Sequence, residues 1–155
     1  MQIGSIIPDL SAPDQQERMA SLRERLGSNG AVIYFYPKDN TPGCTLEAND
    51  FQALSAAFAE QNLTVIGISK DSVKSHAGFC TKFGLKFTLL SDGDGTLCEA
   101  FGVWREKVFC GKTSMGIVRS TFLVDAQGVV RKIYDNVKTK GHAAAVLDDA
   151  RALTA

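Results

Sequence analysis

The segment that most constrains this chain is Ala31-Val32-Ile33-Tyr34-Phe35-Tyr36. Six strand formers in a row offer no polar face, so the segment reads as a buried central strand. Asn29-Gly30 leads into it, and Pro37, which has no N–H for a sheet ladder, stops it. The rest of the chain has to supply the neighbours and the cover for that strand.

After a polar loop over residues 38–43, a helix is expected over residues 44–61, with Phe51, Leu54 and Phe58 at helical spacing. Residues 63–68 are the next strand. Asp71 or Ser72 then caps a helix that runs to Phe83 and is closed by Gly84. A short strand over 87–90, a turn at Asp92-Gly93-Asp94-Gly95 and a short helix over 96–101 ended by Gly102 follow. Residues 120–124 and 129–134 flank Asp125-Ala126-Gln127-Gly128 as a hairpin, and a helix over 141–153 finishes the chain. This order indicates an α/β sandwich with a mixed sheet. No linker or repeat divides it, so residues 1–155 are expected to form a single domain.

Charge narrows the partners. Lysine plus arginine and aspartate plus glutamate both number 17, so no field steers the chain to nucleic acid or to a membrane surface. No apolar run approaches the ~20 residues that span a bilayer, and the first residues carry no secretory pattern. A cytoplasmic location is the expectation. Cys44, Cys80, Cys98 and Cys110, separated by 36, 18 and 12 residues, contain no C-x-x-C pair. Structural zinc and a thioredoxin-type dithiol are therefore disfavoured, leaving buried thiols, reactive thiols or both.

One of the four stands apart. Cys44 lies where the carboxyl end of a strand meets a helix start, the usual ligand crevice of open α/β sheets. First-turn N–H groups have no partners and carry partial positive charge, which favours the thiolate, and the thiolate is the nucleophile. Thr41 puts a hydroxyl three residues before the sulfur, Pro37 can wall a pocket without adding a donor, and Pro42-Gly43 shape the helix start.

Pro37, Thr41 and Cys44 also form the P-x-x-x-T-x-x-C signature of peroxiredoxins. The longer string from Tyr34 to Thr45 resembles the peroxiredoxin Q, or bacterioferritin comigratory protein, subfamily. A second block from Gly111 to Asp125, Gly-Lys-Thr-Ser-Met-Gly-Ile-Val-Arg-Ser-Thr-Phe-Leu-Val-Asp, is similar to the same subfamily. The resemblance implies a thioredoxin-like fold, a central mixed β-sheet flanked by helices, and reduction of hydrogen peroxide and organic hydroperoxides. It implies that Cys44 is the peroxidatic cysteine, Thr41 activates the peroxide and Pro37 walls the pocket. Arg119 would stabilise thiolate and transition-state charge, and Glu47 would hold that arginine. No cofactor is implied beyond an external dithiol reductant such as thioredoxin.

Oxidised Cys44 must then be resolved by a second thiol. Many members of the subfamily place it five residues on, where this chain has Asn49. Another branch places it 36 residues on, and Cys80 fits that spacing. By pattern alone Cys80, on one helical face with Val73 and Ala77, reads first as a buried structural thiol, and only the subfamily spacing favours resolution. With both thiols in one chain, a monomer is expected. A Cys44–Cys80 bond needs Cα atoms about 4.4–6.8 Å apart, so one or both of the packed helices would have to unwind locally to form it.

Other features read as structural. Gly111-Lys112-Thr113 lacks the upstream glycine of a phosphate loop, because Glu106 stands there. Asp92 to Thr96 is a turn rather than a calcium loop. His76 and His142 are expected to be surface or capping residues, Trp104 to pack at a core or rim, Cys98 to be core and Cys110 to be partly exposed.

Overall fold

The computed structural model describes residues 1–154. Its centre is a five-stranded sheet made of β3 (Gly30–Phe35), β4 (Leu63–Ser69), β5 (Thr88–Ser91), β8 (Ser120–Val124) and β9 (Val130–Tyr134), in the order β5-β4-β3-β8-β9. β3, β4 and β5 run parallel, whereas β8 lies antiparallel to β3 and β9 antiparallel to β8. The sheet is mixed, as expected, and β3 is its middle strand.

Every residue of β3 is buried, and its side chains alternate between two cores. Ala31, Ile33 and Phe35 join Ile66, Ile68, Phe101 and Phe122 on one face. Val32 and Tyr34 join Phe51, Phe58, Phe79 and Val146 on the other. The second face carries helices α1 (Pro42–Ala53), α2 (Ser55–Glu60), α3 (Val73–Phe83) and α5 (His142–Thr154). On the first face α4 (Thr96–Ala100) adds Leu97 and Cys98. Asp92 holds α4 by accepting the N–H groups of Leu97 and Cys98 at 3.0 and 2.8 Å, so the turn before it is also a cap. No helix among the described residues is long and apolar enough to cross a membrane.

Two expectations are corrected. The helix expected over 44–61 is two helices meeting at Leu54, whose φ of −98° and ψ of 5° leave the helical path. With no proline or glycine there, the break is set by packing, as Phe51 and Phe58 must both reach the same core. The stretch between α4 and β8 holds an unforeseen hairpin, β6 (Trp104–Phe109) with β7 (Lys112–Ile117). Its two-residue turn puts Cys110 at φ 51° and Gly111 at φ 77°, the left-handed pair that suits a tight hairpin. A second small pair, β1 (Ser11–Pro13) with β2 (Met19–Ser21), precedes the sheet.

Candidate active site

The chain leaves β3 at Phe35 and enters α1 through the loop over residues 37–41. Thr41 is the N-cap in extended geometry (φ −83°, ψ 153°), and Pro42 occupies the first helical turn, where a missing N–H costs nothing. Cys44 therefore sits in the first turn, 1% exposed, with free helix N–H groups around it. The Thr41 hydroxyl donates to the Lys38 carbonyl at 2.9 Å, which orders the loop and leaves its oxygen free to accept.

Arg119 arrives from the residue before β8, the strand next to β3. Its two guanidinium nitrogens divide their work: Nη2 donates to Cys44 Sγ at 3.3 Å, and Nη1 to Glu47 Oε1 at 2.7 Å. A Cβ on Gly43 would stand 3.3 Å from Nη2, so glycine there admits the guanidinium to the sulfur. Glu47 lies one turn after Gly43 on α1 and is 1% exposed. Burial pushes its carboxyl up to about 7, although Arg119 pulls the other way. Its Oε2 has no hydrogen-bond partner among the described residues. Burial disfavours the Arg119 cation, but Glu47 and Cys44 more than offset that and hold its pKa above the ordinary arginine value.

On the outer side of Arg119 opens a cleft of about 480 Å³ bounded by Pro37, Val118, Val137 and the rim residues Arg105 and Lys107. Arg105 is paired across that rim with Asp135. Pro37, Thr41, Cys44, Glu47 and Arg119 are thus gathered at one place, as the sequence led us to expect.

Cys80 lies in the last turns of α3, half-buried, against the core cluster that contains Cys44. Both thiols are free. Burial first, and then the nearby Asp39 charge, push the Cys80 thiol up to about 11. Between the two sulfurs in electrostatic reach is Tyr34, whose buried hydroxyl is raised by burial and then by Glu47, Cys44, Asp39 and Cys80. Cys98 is fully buried and Cys110 exposed, as expected. Trp104 is half-buried at the start of β6, with Lys70 Nζ 4.2 Å above its ring.

The histidines are where the sequence reading failed. His76 is wholly buried and His142 is 8% exposed. His76 bonds Asp39 at 2.8 Å and the Leu90 carbonyl at 3.0 Å, and His142 bonds Thr121 at 2.8 Å. Their partners lie 37, 14 and 21 residues away, so no local pattern could reveal them.

Fold and site together define a protein with one buried cysteine at a helix start, held by an arginine that itself lines an open cleft. Comparison with known proteins agrees. The model of the AhpC/TSA family matches residues 3–133. A putative peroxiredoxin bcp of Coxiella burnetii is 44% identical over 147 residues, covering 95% of this chain and 97% of its own length. Peroxiredoxin Bcp of Bacillus subtilis is 44% identical over 147 residues, covering 95% and 93%. Among solved structures, bacterioferritin comigratory protein of Xanthomonas campestris has a TM-score of 0.92 at 43% identity, covering 99% of this chain and 100% of that one. A cysteine-to-serine variant of Xylella fastidiosa PrxQ has a TM-score of 0.94 at 38% identity, covering 100% and 98%. The chain belongs to the AhpC/TSA family, and its fold is the thioredoxin-like fold of the peroxiredoxins.

Proposed function

We propose that this chain is a thiol peroxidase that reduces hydrogen peroxide and organic hydroperoxides through Cys44, with Cys80 as the resolving thiol. The observation that carries the reading is the Arg119 fork, 3.3 Å from the Cys44 sulfur and anchored on Glu47 at 2.7 Å. A fixed cation beside sulfur stabilises the thiolate and the negative charge that develops on the peroxide oxygens. The Thr41 oxygen accepts the peroxide O–H, and Pro37 closes one wall of the cleft. Cys44 sulfur attacks the terminal oxygen in line: an S–O bond forms, the O–O bond breaks, and the alkoxide or hydroxide leaves with a proton as alcohol or water. Cys44 is left as a sulfenic acid.

Further support comes from relatives. Xanthomonas campestris bacterioferritin comigratory protein is described as having alkyl peroxide reduction activity. Peroxiredoxin Q of the same organism has been solved as serine variants of two cysteines 36 residues apart, the separation of Cys44 from Cys80. We read the product as an intramolecular Cys44–Cys80 disulfide in a monomer, reduced again by thioredoxin. The same reading places the chain in the cytoplasm, where thiols are kept reduced.

Thioredoxin-dependent peroxide consumption is expected to vanish in Cys44→Ser. Cys80→Ser should still react with one equivalent of peroxide but lose that turnover; full turnover would transfer resolution to an external thiol. Peptide mapping of the oxidised protein without reductant identifies the Cys44 partner directly. Because Cys44 and Cys80 lie in packed helices, amides of residues 72–84 are expected to exchange faster in the disulfide form than in the reduced one. Equal protection in both forms would rule the opening out.

A further inference from the structure

The resolution proposed above draws Cys80 out of α3, and the structure shows what holds α3 in place. Of its 11 residues only His76 and Phe79 are fully buried. Phe79 is held by apolar contact, with ring centroids 6.3 Å from Tyr36 and 5.4 Å from Phe83. His76 is held by polar contact. Its Nδ1 lies 2.8 Å from Asp39 Oδ2 and its Nε2 lies 3.0 Å from the Leu90 carbonyl. Both ring nitrogens face oxygen atoms, so the imidazole bridges the Asp39 carboxylate and the β5 backbone from inside the core.

Asp39 is the hub on the other side. It accepts the Tyr36 hydroxyl at 2.6 Å and the Ser75 hydroxyl at 2.8 Å, and its own N–H donates to Asp71 Oδ2 at 2.9 Å. Burial would raise its carboxyl, but the bonds from His76, Tyr36 and Ser75 outweigh this and hold it below the ordinary value. Asp39 belongs to the loop that carries Pro37 and Thr41 into Cys44, while His76 precedes Cys80 by one helical turn.

We infer that the Asp39–His76 pair is a latch that sets how fast Cys80 reaches oxidised Cys44, which makes both positioning residues for the resolving step. The inference rests on the roles proposed above for Cys44 and Cys80. While the latch is closed, Cys80 stays in its helix with its thiol protonated. Separating the pair strands buried polar groups that the core had matched, so α3 opens rarely. When it opens, Cys80 sulfur attacks Cys44 sulfur, the S–S bond forms, the S–O bond breaks, and the hydroxyl departs as water with the Cys80 proton. Until then the sulfenic acid remains exposed to a second peroxide and to conversion to sulfinate.

The test is rapid-quench alkylation with mass detection after one equivalent of peroxide, which times sulfenic acid and disulfide separately. His76→Gln keeps much of the bulk and removes the imidazole bridge between Asp39 and the Leu90 carbonyl. It is expected to speed disulfide formation about tenfold or more while sulfenate formation stays within about twofold. Ser75→Ala removes one bond to Asp39 at a half-buried position, and is expected to speed the same step about two- to threefold even if His76→Gln folds poorly. It should also lower the yield of sulfinate at high peroxide. A disulfide step that requires Cys80 but is unchanged or slower in both variants overturns the latch and leaves the cysteine pair standing. A second step that survives Cys80→Ser overturns both.

Discussion

Arg119→Met is expected to slow the reaction of Cys44 with peroxide by about 10²–10³-fold, the cost of removing one preorganised donor from a developing oxyanion. The variant loses the Nη2 contact to Cys44 Sγ and the Nη1 contact to Glu47 together. Stranding a buried carboxylate is ordinarily severe, but Glu47 is already pushed up to about 7 by burial and can take a proton instead. The fold is therefore expected to survive, and the loss should appear in the rate. Arg119→Lys separates charge from geometry. A single ammonium cannot serve sulfur and carboxylate with a planar fork, so it should recover only part of the rate. Stopped-flow mixing over a range of peroxide concentrations gives the second-order constant, with thermal unfolding run beside it. A loss below about tenfold in a folded Arg119→Met would remove Arg119 from the transition state.

That prediction draws on residues far apart in sequence, and they differed in how they could be found. Cys44 was legible from local physics: an apolar strand, a proline stop and a Thr-Pro-Gly helix start place one cysteine in a first turn. Arg119 alone is an ordinary charge before a strand, and only the resemblance over residues 111–125 singled it out. Glu47 carried no local signal either; one turn along α1, it meets Arg119 because β8 lies beside β3. That the sheet is mixed was legible, because helices between strands indicate parallel crossovers and the Asp125 turn a hairpin, but the place of β8 beside β3 was not. Nor was the β6–β7 hairpin, since its turn uses a cysteine at positive φ and its strands are largely exposed, without the alternation that marks a half-buried strand.

The histidines show the limit most sharply. A lone histidine gives no periodic signal, and its burial depends on an acceptor supplied by another element. For His76 that acceptor comes from the active-site loop, so what looked like an idle surface residue ties the two cysteine-bearing elements together. The loop and α3 are therefore not independent parts, and a change at their junction should be felt in how readily the two thiols meet.

His142 should make itself felt in the dependence of stability on acid. It opens α5 with Nε2 2.8 Å from Thr121 Oγ1, and its ring meets Phe51 and Tyr134 edge-on. Burial first and then the Arg119 charge oppose a second cation here, and bring its pKa from 6.5 down to about 4. The unfolded chain thus binds more protons than the folded one between these values. Its stabilising share is present above about pH 6.5 and is lost as pH falls through about 4. Discounted for residual solvent screening, that share is about 2 kcal/mol. Glu47 acts in the opposite sense: raised from 4.5 to about 7, its share is full at low pH and is lost as pH rises through about 7. The two nearly cancel in the whole protein between pH 5 and 6.5, so the His142 share has to be isolated by substitution. Denaturant unfolding of the chain and of His142→Phe at a series of pH values gives the difference in stability. That difference is expected to shrink by about 2 kcal/mol from neutral pH to pH 4. A difference constant with pH would mean that the imidazolium is accepted in the fold, donating to Thr121, and that the field of Arg119 does not reach α5.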